Sequence, residues 1–233
     1  MKKLLVILSA IACLFFLGYG GSMAWSLYPH TNLQPLPPSL IALNSDEGIQ
    51  RLHNAEAAAD YQRLSNTFQA QKLISYCGVA SSVSVLNALG INTSQWWFFN
   101  DQTKKIRSQK QVMFGGMSLS ELAGLLMAHG AKSSVRHGGD IDIAEFRALV
   151  EQNLANDNDY LLINYQRAVL GQPKLGHISP IAAYDRDTDS VLIIDTAAHK
   201  YPFTWVPLNT LHSAMNTIDS SSGKARGLVE VSL

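Results

Sequence analysis

The sequence predicts an α+β protein whose helices lie in the first half of the chain and whose strands lie in the second half. Residues 47–154 contain segments with few helix breakers and with capping residues at their starts, whereas residues 159–233 contain four short apolar segments separated by polar turns. Helices followed by strands are typical of an α+β arrangement. We expect a helical lobe and a lobe built on an antiparallel sheet.

The first 24 residues have the layout of a secretory signal peptide. Lys2 and Lys3 precede an apolar run from Leu4 to about Leu17, and the small residues around Ala24 form a plausible cleavage site. The protein is therefore expected to be exported, to the periplasm or outside the cell. The alternative is an uncleaved membrane anchor, because residues 4–25 approach the length needed to span a bilayer.

Composition excludes nucleic acid as an expected partner. The chain has 18 basic and 18 acidic residues, and loss of Lys2 and Lys3 with the signal peptide leaves 16 basic residues. Such a balance gives no basic field for a phosphate backbone. Residues 25–39 contain four prolines and read as an extended lead-in. Residues 40–233 are then long enough for a domain with a substantial core.

The first half is predicted to hold helices over residues 47–64, 78–89, 118–130 and 142–154. Ser118 with Glu121, and Asp142 with Glu145, have the spacing of capping boxes at the last two helix starts. Gly90 is a typical residue at the end of the second helix.

The second half is predicted to hold strands over residues 159–165, 177–184, 191–195 and 227–233. Each is rich in apolar and β-branched residues, and the polar stretch 185–190 is typical of a turn. The two strands on either side of that turn are expected to pair as a hairpin.

Cys77 is the one cysteine outside the N-terminal segment, which contains Cys13. Removal of that segment excludes an internal disulfide and a Cys-rich zinc site. Cys77 lies at the first turn of the helix 78–89, where free N–H groups and the helix dipole stabilise a thiolate. We expect Gly78 to leave room for a substrate beside the sulfur. The alternative is a buried cysteine that only begins the core of this helix.

A thiolate nucleophile needs a base, an acid that orients the base, and an oxyanion donor. His177 opens one strand of the expected hairpin and Asp195 closes the other, so they meet if both face the same side. Gln71 and the backbone N–H of Cys77 are candidate oxyanion donors. The alternatives are an exposed histidine, an aspartate that caps a turn, and a solvated glutamine. A cysteine on a helix followed by His and Asp on later strands is the papain-type order.

Four separated segments resemble phytochelatin synthases. They are "FQAQKLISYCGVASSVSVLNALGI" (68–91), "GHISPIAAYDRDTDSVLIIDTAAHKYPFTWVPL" (176–208), "AMNTIDSSSGKARGLVEV" (214–231) and "LIALNSDEGIQRL" (40–52). The resemblance implies a papain-like cysteine protease fold for residues 40–233 as the catalytic domain. It also implies a triad of Cys77, His177 and Asp195, with Gln71 as oxyanion donor.

The resemblance further implies attack on the Cys–Gly bond of glutathione and a γ-glutamylcysteinyl thioester that passes to water or to a second glutathione. The likeness is to the short bacterial form, for which hydrolysis is the implied main activity. No dedicated cofactor site is implied, and cadmium or zinc ions are expected as thiolate complexes of the substrate. Asp219 and Arg226 occupy the family's positions for the γ-glutamyl end, while Arg167 and Tyr201 match positions near the substrate. Ala198 stands where the family often has arginine.

Other assignments remain as alternatives. A papain-like peptidase acting on general or leader peptides would use the same triad, whereas a metal-binding module is disfavoured because one thiol makes a poor soft-metal site. The polar stretch 185–190 lacks the glycine and distal glutamate of a calcium loop. The aromatic residues 96–99 are expected in the core, and a homodimer contact there is the alternative.

Overall fold

A computed structural model describes residues 25–233, and the expected signal peptide or anchor lies outside the described residues. The described chain forms an antiparallel sheet in the spatial order β1-β6-β5-β4-β3-β7-β2. The strands are β1 (Ile41–Ala42), β2 (Lys132–His137), β3 (Asp159–Gln166), β4 (Gly176–Asp185), β5 (Ser190–Ile193), β6 (Thr204–Pro207) and β7 (Gly227–Ser232). The α+β class is therefore confirmed.

The helices precede and interrupt this sheet. They are α1 (Asp46–Asn54), α2 (Tyr61–Thr67), α3 (Cys77–Ala88), α4 (Thr103–Ile106), α5 (Gln109–Gly115), α6 (Leu119–Met127), α7 (Ile143–Leu154) and α8 (Leu208–Met215). The capping boxes of Ser118 with Glu121 and of Asp142 with Glu145 are both present, as predicted. Gly90 follows α3 with a φ of 85°, a conformation that glycine adopts without strain. No helix within residues 25–233 is both long enough and apolar enough to cross a membrane.

Both faces of the sheet are buried. Along β3, Tyr160 and Leu162 belong to a core shared with α2, α3 and α6, whereas Leu161 and Ile163 belong to a core shared with α7 and α8. The alternation follows from the strand period of two. The sheet is thus a middle layer between helices, and not a lobe separate from them as predicted. The near-continuous apolar runs of β3, β4 and β5 explain this, because such strands need cover on both faces.

The single helix predicted over residues 47–64 is wrong. Ser45 caps α1, which ends at Asn54, and α2 begins only at Tyr61. Between them Ala57 pairs with Tyr184 of β4, whose N–H donates to the Ala57 carbonyl at 2.7 Å. This pairing needs extended backbone, so a tertiary contact overrides the local helix propensity.

Burial of the whole aromatic stretch 96–99 is also wrong. Phe98 is fully buried, but Trp96 is 48% exposed and Trp97 is 81% exposed. The Lys72 ammonium lies 4.9 Å from the centroid of the Trp96 ring, a cation–π distance. The two tryptophans therefore belong to the surface.

Asp60, which directly precedes α2, has a carboxyl group that is buried in the fold. Its side chain is fully buried, and neither carboxyl oxygen has a hydrogen-bond partner among the described residues. Burial, with smaller contributions from the charges of Asp159 and Asp157, raises the pKa of Asp60 to about 8. The native state therefore holds a proton that the unfolded state releases near pH 4.

We predict that the free energy of unfolding contains a contribution from Asp60 that falls as pH rises from about 4 to about 8, because the folded state binds the extra proton over this window. Asp60→Asn removes the charge with little change of shape. It should stabilise the protein by roughly 2–4 kcal/mol more at pH 8 than at pH 5, because each pH unit between the two pKa values contributes up to about 1.4 kcal/mol. Urea unfolding at the two pH values measures this, with the exposed Asp101→Asn as control. An Asp60→Asn effect that is equal at both pH values would contradict the prediction.

Candidate active site

Cys77 lies at the first residue of α3, as predicted, on the wall of a cleft of about 400 Å³. The preceding Tyr76 is buried, and its N–H donates to the Leu73 carbonyl at 3.0 Å, which fixes the turn into the helix. Residues 114–117, at the end of α5 and just after it, form part of the cleft wall, and His177 near the start of β4 faces the same space. A thiol at a helix N-terminus is thus presented to an enclosed space.

His177 and Asp195 meet as the predicted hairpin requires. β4 and β5 are antiparallel, and the register pairs Ile181 with Ile193. Asp195 lies two residues beyond β5, where its Oδ1 is 2.9 Å from Nε2 of His177. Because Nε2 faces Asp195, the other ring nitrogen is left for the Cys77 sulfur, and the imidazole acts to lower the pKa of that thiol. The Tyr165 ring packs edge-on against the imidazole at 5.7 Å.

The Asp195 carboxylate is buried and is held by several donors. The N–H of Ala197 donates to Oδ1 at 2.8 Å, and Arg167 Nη2 lies 2.9 and 2.7 Å from the two oxygens. Burial alone would raise the pKa of Asp195, but the charges of Arg167 and His177 outweigh it and hold the pKa well below its usual range. Asp195 is therefore ionised at neutral pH.

The neighbouring charges and hydrogen-bond donors also determine the ionisation of Cys77 and His177. Burial acts to raise the pKa of the Cys77 thiol, but the hydrogen bond and charge of His177, with the N–H groups of Ile178 and Gly78, lower it overall. Burial and the Arg167 charge act to lower the pKa of His177, but Asp195 and Cys77 raise it overall. These directions favour a thiolate paired with an imidazolium.

Arg167 and Tyr201, predicted near the substrate, lie beside the Asp195 carboxylate. Arg167 borders the cleft, but its guanidinium donates to Asp195 and, at 2.6 Å, to Gln172. Tyr201 is buried behind it, with the Arg167 Cζ 5.0 Å from its ring centroid. Both residues therefore support the carboxylate, because a buried charge must be paired.

The structure gives the Gln71 amide two backbone partners, and it contradicts the expectation for Gly78. Gln71 lines the cleft, but its Nε2 donates to the carbonyls of Leu73 at 3.1 Å and Ile74 at 2.7 Å. A donation to an oxyanion requires release of one of these bonds. Gly78 does not leave room for a substrate, since a Cβ there would lie 2.7 Å from the Sδ of Met117. Its missing side chain is needed for packing.

Asp219 and Arg226 form a buried charged pair on the cleft wall. Arg226 Nη1 lies 3.5 Å from Asp219 Oδ2 and donates to the Asn164 side-chain oxygen at 2.8 Å. The N–H and hydroxyl of Ser221 donate to the Asp219 carboxylate at 3.0 and 2.8 Å. Gly176 is required beside them, because a Cβ there would lie 2.6 Å from Arg226 Nη1. The pair is therefore buried, and it is not a solvated ion pair of the surface.

Sequence reasoning missed several residues of this site. Asn164 had a signal, because it is a polar residue inside the apolar strand β3, and buried amides require partners. Ser221 had none, since it stands in a run of three serines. Gln172 and Tyr165 act only through Arg167 and His177, so only the folded chain shows their contacts.

An α+β fold that aligns a thiol, an imidazole and a carboxylate on one cleft has the side chains that nucleophilic cysteine chemistry requires. The phytochelatin synthase family model matches residues 31–228, so the chain belongs to the phytochelatin synthase family. It is 35% identical over 207 residues to glutathione gamma-glutamylcysteinyltransferase 1 of Arabidopsis thaliana, covering 85% of this chain and 42% of that protein.

Two further relatives are similar. A glutathione gamma-glutamylcysteinyltransferase 1 of Lotus japonicus is 33% identical over 213 residues, which cover 87% of this chain and 42% of that protein. The glutathione gamma-glutamylcysteinyltransferase of Schizosaccharomyces pombe is 28% identical over 203 residues, which cover 83% of this chain and 49% of that protein. The chain therefore spans less than half the length of these curated relatives.

We predict that His177 controls the ionisation of Cys77. The rate of alkylation by iodoacetamide, followed at the Cys77 peptide by mass spectrometry, should titrate below the ordinary cysteine pKa of about 8.5. His177→Ala should move the titration to higher pH, because burial then acts without the imidazolium. His53→Ala, at an exposed histidine, is the matched control. The same titration curve in wild type and His177→Ala would contradict this electrostatic coupling.

Proposed function

We propose that this protein is a glutathione γ-glutamylcysteinyltransferase or hydrolase that cleaves the Cys–Gly bond of glutathione through a Cys77 acyl-enzyme. The single observation that carries the proposal is the cleft itself. It brings the Cys77–His177 pair to the same space as a buried carboxylate–guanidinium pair suited to an amino-acid zwitterion. The names of the relatives support glutathione as the donor.

In the first half of the reaction, the Cys77 thiolate attacks the carbonyl carbon of the cysteinyl residue. The N–H of Cys77, which is at the first residue of α3, is one donor for the developing oxyanion. Gln71 supplies the second when it gives up its longer bond to Leu73. His177 then donates its proton to the leaving nitrogen, glycine departs, and the thioester remains on Cys77.

In the second half, neutral His177 takes a proton from water or from the amine of a second glutathione. The attacking atom forms a bond to the thioester carbon, the C–S bond breaks, and Cys77 leaves as a thiolate. Asp195 stays ionised throughout and stabilises the His177 imidazolium, which is present before the first half and forms again in the second. The products are γ-glutamylcysteine from water, or a lengthened peptide from glutathione.

The γ-glutamyl end of the donor carries an ammonium and a carboxylate on one carbon. Asp219 suits the ammonium and Arg226 suits the carboxylate, and both lie in a partly dry cleft, where charge-assisted hydrogen bonds are strong. Burial acts to raise the pKa of Asp219, but the Ser221 donors and Arg226 lower it overall, so the carboxylate is available to an ammonium.

The proposal also covers the catalytic domain, its location and the metal ions that accompany the substrate. The triad resides in a papain-like catalytic domain of residues 40–233, exported by the N-terminal segment or anchored by it. Cadmium and zinc ions enter as thiolate complexes of glutathione, which connects the activity to metal detoxification.

A homodimer through the exposed Trp96 and Trp97 is a further proposal, distinct from the catalytic one.

We predict that Arg226→Ala lowers kcat/KM for glutathione by about 10- to 150-fold, because it removes a charge-assisted contact of about 1.5–3 kcal/mol. Arg226→Lys should restore part of this, since an ammonium cannot make the bidentate contact. Glycine release measures the rate. Arg63→Ala is the matched control, because Arg63 pairs with Asp157 on the surface.

The peptide linkage distinguishes this function from a general peptidase. Wild type should cleave γ-linked Glu-Cys-Gly and leave the α-linked peptide nearly intact, because the α-linkage moves the zwitterion relative to the scissile bond. Equal cleavage of both peptides would overturn the glutathione assignment and favour the peptidase that acts on general or leader peptides.

A further inference from the structure

Lys200 is a cation on the cleft wall without a partner. It is half-buried, and its ammonium forms no hydrogen bond or ion pair with any residue in the range 25–233. The two arginines that line the cleft, by contrast, have partners. Arg167 is bound to Asp195, and Arg226 lies against Asp219 and Asn164. Lys200 is therefore a positive charge on the cleft wall that no carboxylate of residues 25–233 neutralises.

The sheet order places Lys200 and Arg226 on opposite sides of His177. From β5 through β4 and β3 to β7, the site residues follow as Asp195, His177, Asn164 and Arg226. Lys200 belongs to the connection between β5 and β6, on the Asp195 side. A substrate whose acyl part extends from Cys77 towards Arg226 directs its leaving group towards Lys200.

The backbone around Lys200 is held in place by the proline-rich lead-in. The N–H of Asn32 donates to the His199 carbonyl at 2.9 Å, and the N–H of Gln34 donates to the Lys200 carbonyl at 2.9 Å. The N–H of Lys200 itself donates to the Ala197 carbonyl at 2.8 Å. Each of these bonds restrains the loop on which the ammonium is carried, so a contact costs less ordering entropy.

We propose that Lys200 binds the carboxylate of the amino acid on the leaving side of the scissile bond, and that the same contact holds an incoming acceptor. This inference rests on the proposed function. In glycine, the carboxylate is on the carbon next to the nitrogen that leaves. In glutathione, the only amine is at the γ-glutamyl end, and a carboxylate is again on the carbon next to it.

The two halves of the reaction therefore present the same group to Lys200. The nitrogen that leaves and the nitrogen that attacks occupy the same position relative to the thioester carbon. In the transfer step the amine forms a C–N bond, the C–S bond breaks, His177 accepts the amine proton, and Cys77 returns as a thiolate. Water lacks the carboxylate, so Lys200 favours amine acceptors over hydrolysis.

The test uses the full-length chain and two donors, glutathione and its C-terminal glycinamide analogue, which differ only in that carboxylate. Wild type should prefer glutathione in kcat/KM by about 5- to 20-fold, between the values for exposed and for buried charge pairs. In Lys200→Met, kcat/KM for glutathione should fall to the level of the amide, whereas Lys200→Arg should retain most of the preference. Lys174→Met is the matched control, because Lys174 is exposed and lies off the cleft wall.

Product partitioning supplies a second readout. At high glutathione concentration, the ratio of lengthened peptide to γ-glutamylcysteine should fall in Lys200→Met relative to Lys174→Met. A misfolded variant would lose both products together, so the ratio separates a folding defect from loss of the contact.

The outcomes are distinguishable. Equal cleavage of both donors by wild type, or an undiminished preference for glutathione in Lys200→Met, overturns the role of Lys200 and leaves the proposed function intact. Failure of wild type to release glycine from glutathione or glycinamide from the analogue overturns both.

Discussion

The buried carboxylate of Asp195 is the constraint on which the rest of the site depends. An ionised carboxylate in a buried position is costly unless it is paired and hydrogen-bonded. Here Arg167, His177 and the Ala197 N–H surround it. Its charge raises the pKa of His177, and the His177 charge in turn lowers the pKa of Cys77. The ionisation of Cys77 thus depends on a residue that does not touch it.

Arg167 influences the pKa values of both Asp195 and His177. It holds Asp195 ionised, and its own positive charge acts to lower the pKa of His177. Gln172 and the rings of Tyr165 and Tyr201 fix the guanidinium in turn. A layer of buried residues therefore orients the carboxylate while the cleft above it stays open.

The antiparallel sheet distributes the charges that face the cleft. His177 is on the central strand β4, the Asp219–Arg226 pair lies beside β7, and Lys200 follows β5. Both faces of the sheet are buried, so its strands are held rigidly between two cores. Strands packed on both faces keep the charged groups at fixed separations, as the proposed binding of one substrate at two ends requires.

Sequence patterns within single segments predicted the helices and strands that depend on those segments alone. Capping boxes located α6 and α7, and apolar runs located β3, β4, β5 and β7. The strand β2 was missed because it is a polar edge strand, and β1 because it has only two residues. The break between α1 and α2 depends on a pairing with Tyr184, more than 120 residues away along the chain.

The residues of the site also fall into two groups, those that the local sequence marks and those that only the folded chain brings together. Cys77, His177 and Asp195 were found because a helix start and two strand ends mark them in the sequence. The contacts of Arg167 and Tyr201 were not predictable, since they depend on which buried charge each side chain meets. Lys200 was missed because its significance is the absence of a partner among the described residues, and that is a property of the folded cleft.

The most direct test of the central claim is the intact mass of the enzyme after brief exposure to glutathione, followed by peptide mapping. We expect a γ-glutamylcysteinyl adduct on Cys77 that disappears when free glutathione is removed and excess glycine is added, because glycine attacks the thioester and returns Cys77 as a thiolate. Cys77→Ser, with an oxygen in place of the sulfur, should form no adduct on this timescale. Glycine release by wild type with no covalent adduct under rapid acid quenching, or an adduct on another residue, would contradict the acyl-enzyme at Cys77.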